Sequence, residues 1–317
     1  VHKTREAAYK IGLFSCYEAR VPVISIGNLV TGGSGKTPLA IWLAGRLFSQ
    51  GLKPAVVSRG YGGTNKQKYL IVSDGTGGRP IHDASVVGDE PYLIACRLPA
   101  TPVLIGPKRV HPIRAVQQFF AIDVIILDDG FQHLAVARDL DVVLLTGAED
   151  CTLPFIGLRE PLSALERADL IFLSDGEYSA LPHQLATNVP IFRYQRRASG
   201  LLNSPFPFQV VDLTRLTNKN VILVSAIARP NRFLDTAKAL RWNIVTHVAC
   251  RDHHFFSTRE LQKLLDDHAS SELVFTEKDW VKLPDWFQSH ERTWALRIDI
   301  HVDNEETFLK LVTKNIP

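Results

Sequence analysis

A glycine-rich turn, two carboxylate pairs and a histidine pair are the residues of this chain whose types and spacing could do chemistry. The turn, Gly32-Gly33-Ser34-Gly35-Lys36-Thr37, follows the apolar run Val23-Ile24-Ser25-Ile26 and Gly27-Asn28, and precedes the helical pattern Leu39-Ala40-Ile41-Trp42-Leu43. Backbone N–H groups that converge at glycines, together with a helix N-terminus, suit a polyphosphate. Lys36 is placed to neutralise its β/γ oxygens, and Thr37 to offer a hydroxyl to Mg2+. The G-x-x-x-x-G-K-T spacing wants glycine at position 30, where the chain has Val30. The turn is therefore read as a variant phosphate loop.

Asp128-Asp129 ends the apolar run 123–127 and leads into Gly130-Phe131-Gln132-His133. In an α/β chain that already holds a phosphate loop, such a pair reads as a holder of Mg2+ or of its water shell. Asp89-Glu90 precedes Pro91 and the helical run Tyr92-Leu93-Ile94-Ala95-Cys96. Two readings are open there: Asp89 caps the helix, or the pair supplies a general base and a Mg2+ contact. Arg251-Asp252-His253-His254 follows a strand. Adjacent histidines point in different directions, so at most one reaches a given site, and a capping or structural role is the other reading. Arg59, Tyr61 and Arg159 lie in turns at strand ends, whereas Lys108, Arg109 and Arg114 read as a helix's solvated face.

Alternating strand and helix patterns must position these groups. Strands are expected at 54–58, 102–106, 123–127, 141–145 and 168–173, forming with the phosphate loop an α/β unit over 21–186. The proline-bearing stretch 187–217 reads as a linker of two extended strands. The rhythm restarts at 220, with strands at 221–225, 244–248, 272–276 and 293–298 and helices near 231–241, 258–268 and 304–314, which makes a smaller α/β unit over 218–317. Residues 1–20 place Ala7, Ala8, Ile11, Phe14 and Tyr17 on one side of a wheel, an amphipathic helix that packs on the body or lies on a membrane surface.

The chain is 45% hydrophobic and 22% charged with a formal net charge of +3, the profile of a folded protein with a large core. That charge fits an anionic small substrate or membrane surface better than dedicated nucleic-acid binding. Cys16, Cys96, Cys151 and Cys250 form no C-x-x-C pair, which argues against a zinc site and for a reducing compartment. No apolar run of about 18 residues is present, so a cytoplasmic or peripheral protein is expected. The chain has no Met and starts at Val1 inside a helical pattern, so a preceding segment is expected. Thr276-Glu277-Lys278-Asp279 differs from the guanine-reading N/T-K-x-D by placing its lysine one position late.

Gly27-Asn28-Leu29, Gly32-Gly33-Ser34-Gly35-Lys36-Thr37-Pro38, Ser58-Arg59-Gly60-Tyr61-Gly62, Gly88-Asp89-Glu90-Pro91, Asp128-Asp129-Gly130-Phe131-Gln132-His133, Leu158-Arg159-Glu160-Pro161-Leu162, Asp252-His253-His254 and Thr276-Glu277-Lys278-Asp279 occur in this order. On these blocks, which span residues 21 to 282, the chain closely resembles the tetraacyldisaccharide 4'-kinases, the lipid A 4'-kinase family. The resemblance implies two α/β/α sandwich domains, the larger a P-loop NTPase-type domain, joined by a short β-stranded linker. It implies transfer of the ATP γ-phosphate, with Mg2+, to the 4'-hydroxyl of tetraacyldisaccharide 1-phosphate to give lipid IVA. A peripheral protein on the cytoplasmic face of the bacterial inner membrane is implied too, with an apolar N-terminal helix used at the membrane.

By the same resemblance Asp89 is the base and a histidine of the 252–254 block, His253 in preference to His254, tunes or orients it. Gly32, Gly33, Ser34, Gly35, Lys36 and Thr37 hold ATP; Thr37, Asp128 and Asp129 hold Mg2+ with Glu90 as helper; Asn28, Gln132, His133 and Arg159 shape the acceptor side. The competing class is a P-loop switch ATPase or GTPase, or a metallochaperone, in which water is the acceptor. The mismatched guanine motif and the lack of a Cys/His metal cluster weigh against it.

Overall fold

The structure is a computed structural model that describes residues 8–9, 11–30, 33, 35–146, 158–174, 189–314 and 316. Gly32 and Ser34 of the phosphate loop, Cys151 and residues 1–7 lie outside the described residues. The first half of the chain runs β1 (Val23–Asn28), α1 (Lys36–Ser49), β2 (Pro54–Ser58), β3 (Leu70–Asp74), α2 (Asp89–Arg97), β4 (Pro102–Ile105), α3 (Val110–Phe119), β5 (Val124–Asp128), β6 (Leu140–Leu145) and β7 (Leu170–Ser174). Then come β8 (Ile191–Leu202), β9 (Val210–Val211), β10 (Asn220–Ser225), α4 (Pro230–Ala239), β11 (Asn243–Ala249), α5 (Thr258–Asp267), β12 (Glu272–Thr276), α6 (Glu277–Trp280), β13 (Thr293–Val302) and α7 (Glu305–Thr313).

These strands form one sheet in the order β11-β10-β12-β13-β8-β7-β6-β1-β5-β2-β4-β3, with β9 paired to β8. The fold is α/β with mostly parallel pairing. Strands β1, β2, β5, β6 and β7 are buried along their whole length, as expected of parallel strands covered by helices on both faces, which read as continuous apolar runs. β1 pairs with both β5 and β6, so the chain reverses its direction of spread at β1. Open α/β sheets bind ligands at the C-terminal strand ends beside such a reversal. Ile26 of β1 faces Asp128 of β5 in register, which sets the acidic pair beside the phosphate loop.

The stretch expected as a linker is part of the sheet. β8 pairs in parallel with β7 through Ile191–Tyr194 and antiparallel with β13 through Tyr194–Leu202, so the sheet passes from one half of the chain to the other along a single strand. α7 leaves the strands that precede it: Phe308 packs edge-on against Phe172 of β7 and Phe192 of β8 and lies tilted against Trp42 of α1. The C-terminal unit expected over 218–317 therefore gives its last helix to the first core, where Phe308, Leu309 and Val312 are buried.

The helix expected over 1–20 does not extend through 11–20, and residues 1–7 and 10 lie outside the described residues. Within 1–20 the described helical residues are Ala8 and Tyr9; Gly12 turns left-handed at φ 75°, and Tyr17 pairs with Val136 as an isolated bridge. Backbone hydrogen bonds from Tyr17 N to Ala135 O and from Ala137 N to Tyr17 O replace helical ones. β3, an antiparallel edge strand on β4, was not anticipated, since its short apolar run carries no clear alternation.

Gly27 is where β1 and the turn after β5 touch: a Cβ there would sit 2.3 Å from Phe131 Cβ. Gly27→Ala forces β1 and the Asp128-Asp129 turn apart and is expected to destabilise the protein by about 1–3 kcal/mol, as overpacked cores do. Chemical denaturation checks this, and unchanged stability would show that the contact is loose.

Candidate active site

At the phosphate end, Gly33 and Gly35 take left-handed backbone angles of φ 38° and 90°, conformations that glycine adopts without cost. Lys36 opens α1, and its Nζ donates to Asn28 Oδ1 at 3.1 Å and lies 3.4 Å from Asp129 Oδ1. Thr37 Oγ1 lies 3.4 Å from Asp128 Oδ2, and Ser58 Oγ donates to the same oxygen at 3.2 Å. Asp128 is 1% exposed. Burial raises its pKa; the carboxylates of Glu90 and Asp129 push it further up, and Lys36 and Ser58 offset only part of this.

A buried carboxylate beside the Thr37 hydroxyl in the first turn of α1 and short of positive charge suits a divalent cation. Among the described residues no group of three or more His, Cys, Asp or Glu could hold a metal. That fits Mg2+, which takes one or two protein oxygens and fills its octahedron with water and phosphate oxygens. Thr37 and Asp128 are the residues that would hold it.

Asp129 adopts φ 59° and is gripped by Arg159, whose Nη1 reaches its two carboxylate oxygens at 2.7 and 2.8 Å. Burial raises the Asp129 carboxyl, but Lys36 and Arg159 outweigh it and hold it below the usual range. Arg159 thus reaches the acidic pair itself. Gln132 Nε2 donates to Asn28 O at 2.8 Å, and His133 Nε2 accepts from Arg109 N at 3.3 Å. Asn28, Gln132, His133 and Arg159 are therefore brought together around the acidic turn. Arg109, expected on a solvated face, is 3% exposed. Its Nη2 donates to Asp129 O at 3.2 Å, and burial lowers its pKa to about 10, with Asp129 opposing.

At the other end Gly88, at φ 93°, occupies the N-cap of α2 and Asp89 is its first residue. Asp89 is 2% exposed. His253 Nδ1 meets its Oδ2 at 2.9 Å and Oδ1 at 3.1 Å, and Lys282 Nζ lies 3.6 Å from Oδ2. Burial pushes the Asp89 carboxyl up, but the His253 hydrogen bond and the Lys278 and Lys282 ammonium groups prevail and hold it below the usual range. The bond to Asp89 in turn raises the His253 imidazole, against burial and Lys278. Both shifts share one cause, the Asp89–His253 contact formed across the two halves of the chain.

His253 is aimed there by a left-handed backbone, φ 61°, pinned by its N–H to Ala226 O at 3.0 Å. His254 points away, with Nε2 3.0 Å from Glu260 Oε1 on α5. Of the two histidines only His253 reaches Asp89. Glu90 is met by Lys278 Nζ at 3.2 Å rather than by Thr37 or Asp128.

Between the two ends lies a cleft of about 210 Å³ walled by Lys36, Thr37 and Glu90 on one side and by Arg229, Arg232 and Lys278 on the other. Arg232 Nη1 donates to Gly33 O at 2.6 Å across it. Sequence reasoning assigned no role to Lys278, Lys282, Arg109, Arg229 or Arg232. The Thr276-Glu277-Lys278-Asp279 block carried a signal for Lys278. Single arginines at or near helix starts, as Arg109, Arg229 and Arg232 are, carry none.

Comparison with known proteins shows the family. A profile of the family described as Tetraacyldisaccharide-1-P 4'-kinase matches residues 1–317. Tetraacyldisaccharide 4'-kinase of Anaeromyxobacter dehalogenans (strain 2CP-C) is 39% identical, over 88% of this chain and 77% of the relative. That of Psychromonas ingrahamii is 36% identical, over 90% and 82%. A crystal structure of LpxK from Aquifex aeolicus, described as an "apo" form in complex with ATP, aligns with a TM-score of 0.83 at 32% identity and covers 100% of this chain and 95% of that one. With a profile match along its whole length and relatives this close, the chain belongs to the tetraacyldisaccharide 4'-kinase family.

Proposed function

We propose that the protein transfers the γ-phosphoryl group of ATP to the 4'-hydroxyl of tetraacyldisaccharide 1-phosphate, with Asp89 as the base and His253 as the residue that orients it. The observation that carries this reading is the buried Asp89–His253 pair, joined through Lys278 and Glu90 to the cleft that Lys36 and Thr37 wall. Phosphoryl transfer asks for alignment and charge neutralisation more than for covalent help. Lys36 neutralises phosphate oxygens. Asp89, ionised and held by His253, takes the proton of the acceptor hydroxyl as its oxygen bonds to phosphorus. Asn28, Gln132, His133 and Arg159 shape the acceptor side. Bound Mg2+, held by Thr37 and Asp128 with Asp129 beside it, supplies charge neutralisation at the phosphates.

The units 21–186 and 218–317 act as two lobes, with 187–217 between them. A lipid acceptor places the protein at a membrane, here the cytoplasmic face of the bacterial inner membrane. Ile11, Leu13 and Phe14, 77%, 71% and 49% exposed, support a surface that enters lipid at the N-terminal segment. No described helix is long and apolar enough to cross a membrane.

With γ-labelled ATP, Mg2+ and the lipid disaccharide 1-phosphate in detergent, label is expected in lipid; label found only as free phosphate would instead make this an ATPase. Asp89→Asn is expected to lower kcat by about 10²–10⁴-fold, the worth of a positioned base, while ATP binding measured by fluorescence survives. Near-normal turnover in that variant would remove Asp89 from the mechanism. Chelation of Mg2+ should abolish transfer, and Asp128→Asn should raise the Mg2+ concentration needed for half-maximal rate by about tenfold or more; an unchanged requirement would place the metal elsewhere.

A further inference from the structure

Acidic residues are missing from two long stretches of the chain. No Asp or Glu occurs from Ala19 to Ser73 or from Pro91 to Ile122, while Lys and Arg recur through both. Sheet order makes the stretches neighbours. β5, β2, β4 and β3 lie side by side in that order; β2 runs parallel to β5 and β4, and β3 runs antiparallel to β4 with Leu70 opposite Ile105. The turn after β2, the turn after β4 and the approach to β3 therefore share one edge of the sheet, the edge at which Asp128 ends β5. Arg59, Lys108, and Lys66 with Lys68 stand in these three places, and all four are exposed. A Cβ on Gly106 would lie 2.6 Å from Lys68 O, so the second and third of these segments touch. Arg59 is near enough to Arg109 that its charge helps to lower the Arg109 pKa. Asp74, which ends the first stretch, lies opposite Pro102 at the far end of β4.

Apolar groups flank this row of cations. At the β3 end, Lys68 lines an open cup of about 440 Å³ together with Tyr69, Leu70, Ile71 and Ile81, and Ile81 is 54% exposed. At the β5 end, Arg114 of α3 lies over the Tyr17 ring at 4.8 Å, and Cys16 Sγ donates to Leu134 O at 3.5 Å, one residue from His133. These contacts tie the segment that carries exposed Ile11, Leu13 and Phe14 to the acceptor side. Clustered cations with no acids among them repel one another, and an anionic surface laid against them relieves that cost.

We propose that the edge formed by Arg59, Lys66, Lys68 and Lys108 is a docking surface for the anionic headgroups of a phospholipid bilayer, and that it makes attachment of this protein depend on membrane charge. The inference deepens the membrane placement proposed above and rests on the lipid-kinase reading. A single apolar anchor gives marginal, reversible attachment, and a basic patch is one form of the second signal that stable attachment needs. Lys and Arg within a Debye length of an anionic leaflet supply that signal. Here the patch borders the acidic turn, so a bilayer held by it lies along the edge where the acceptor enters. Apolar insertion at Ile11, Leu13 and Phe14 is indifferent to headgroup charge, whereas the row of cations is not.

The test is co-sedimentation of the protein with vesicles of phosphatidylcholine alone and of phosphatidylcholine containing about one third phosphatidylglycerol, a charge density like that of an anionic leaflet. Wild type is expected to prefer the anionic vesicles at low salt and to lose that preference at high salt. Each surface cation is worth about fivefold in binding, so Lys66→Gln/Lys68→Gln/Lys108→Gln should cut the preference by about 10²-fold. Binding to phosphatidylcholine alone and the thermal melt should not change, and KM for the acceptor in neutral detergent micelles should stay within about twofold. Equal binding of wild type to both vesicles, or an anionic preference that survives in the folded triple variant, would overturn the proposal. Loss of the wild-type preference on adding inorganic phosphate at constant ionic strength would do so too, by showing a site for free phosphate. A raised acceptor KM in neutral micelles would assign these lysines to the acceptor instead. Wild-type protein that labels no lipid in detergent would overturn the kinase reading itself, an outcome distinct from every vesicle result.

Discussion

A carboxylate buried to 2% exposure survives as a charge only if the protein surrounds it with positive charge and donors. The Asp89–His253 contact is that arrangement, and much of the molecule is committed to it. Asp89 comes from the first half at a helix start that Gly88 makes possible; His253 and both lysines come from the second. Loss of His253 would leave the buried carboxylate to Lys278 and Lys282 alone. The Asp89–His253 contact therefore also ties the two halves of the chain together. Asp279 supports it from behind: fully buried, it accepts from Ala226 N at 3.0 Å, next to the turn that aims His253, and pairs with Lys282.

Two buried acids divide the work through opposite environments. Asp89 is surrounded by cations and stays ionised, whereas Asp128 faces Glu90 and Asp129 with only partial relief from Lys36. Pairs of titratable groups pushed apart in this way mark distinct roles in a site. The carboxylate short of positive charge fits a metal holder, and the compensated one fits a base. Asp129, turned left-handed and gripped by Arg159, is the element that joins the metal side to the acceptor side.

What the sequence made legible was local. Apolar runs ending in glycine or aspartate marked the central strands, and the Gly-Lys-Thr entry marked the phosphate end, because each signal lies within a few residues. The path of the sheet through β8 did not show, since it depends on pairing with β13 about a hundred residues away in sequence. The choice between His253 and His254 was open for the same reason: it is made by one backbone angle and by an N–H to Ala226. Arg109 was misread as solvated because a cation in a helical run usually is, and only the fold reveals the Asp129 carbonyl beneath it. At residues 11–20 the apolar wheel was real, but backbone pairing of Tyr17 with the chain near Val136 won over helix formation.

The central claim is that Asp89 and His253 act as one unit across the two halves. A double-mutant cycle on kcat measures it directly, with Asp89→Asn, His253→Gln and the two combined. If the pair acts together, the double variant is no slower than Asp89→Asn alone, within about twofold, because His253 has nothing left to orient. Losses that multiply would show two groups working independently and would contradict the account.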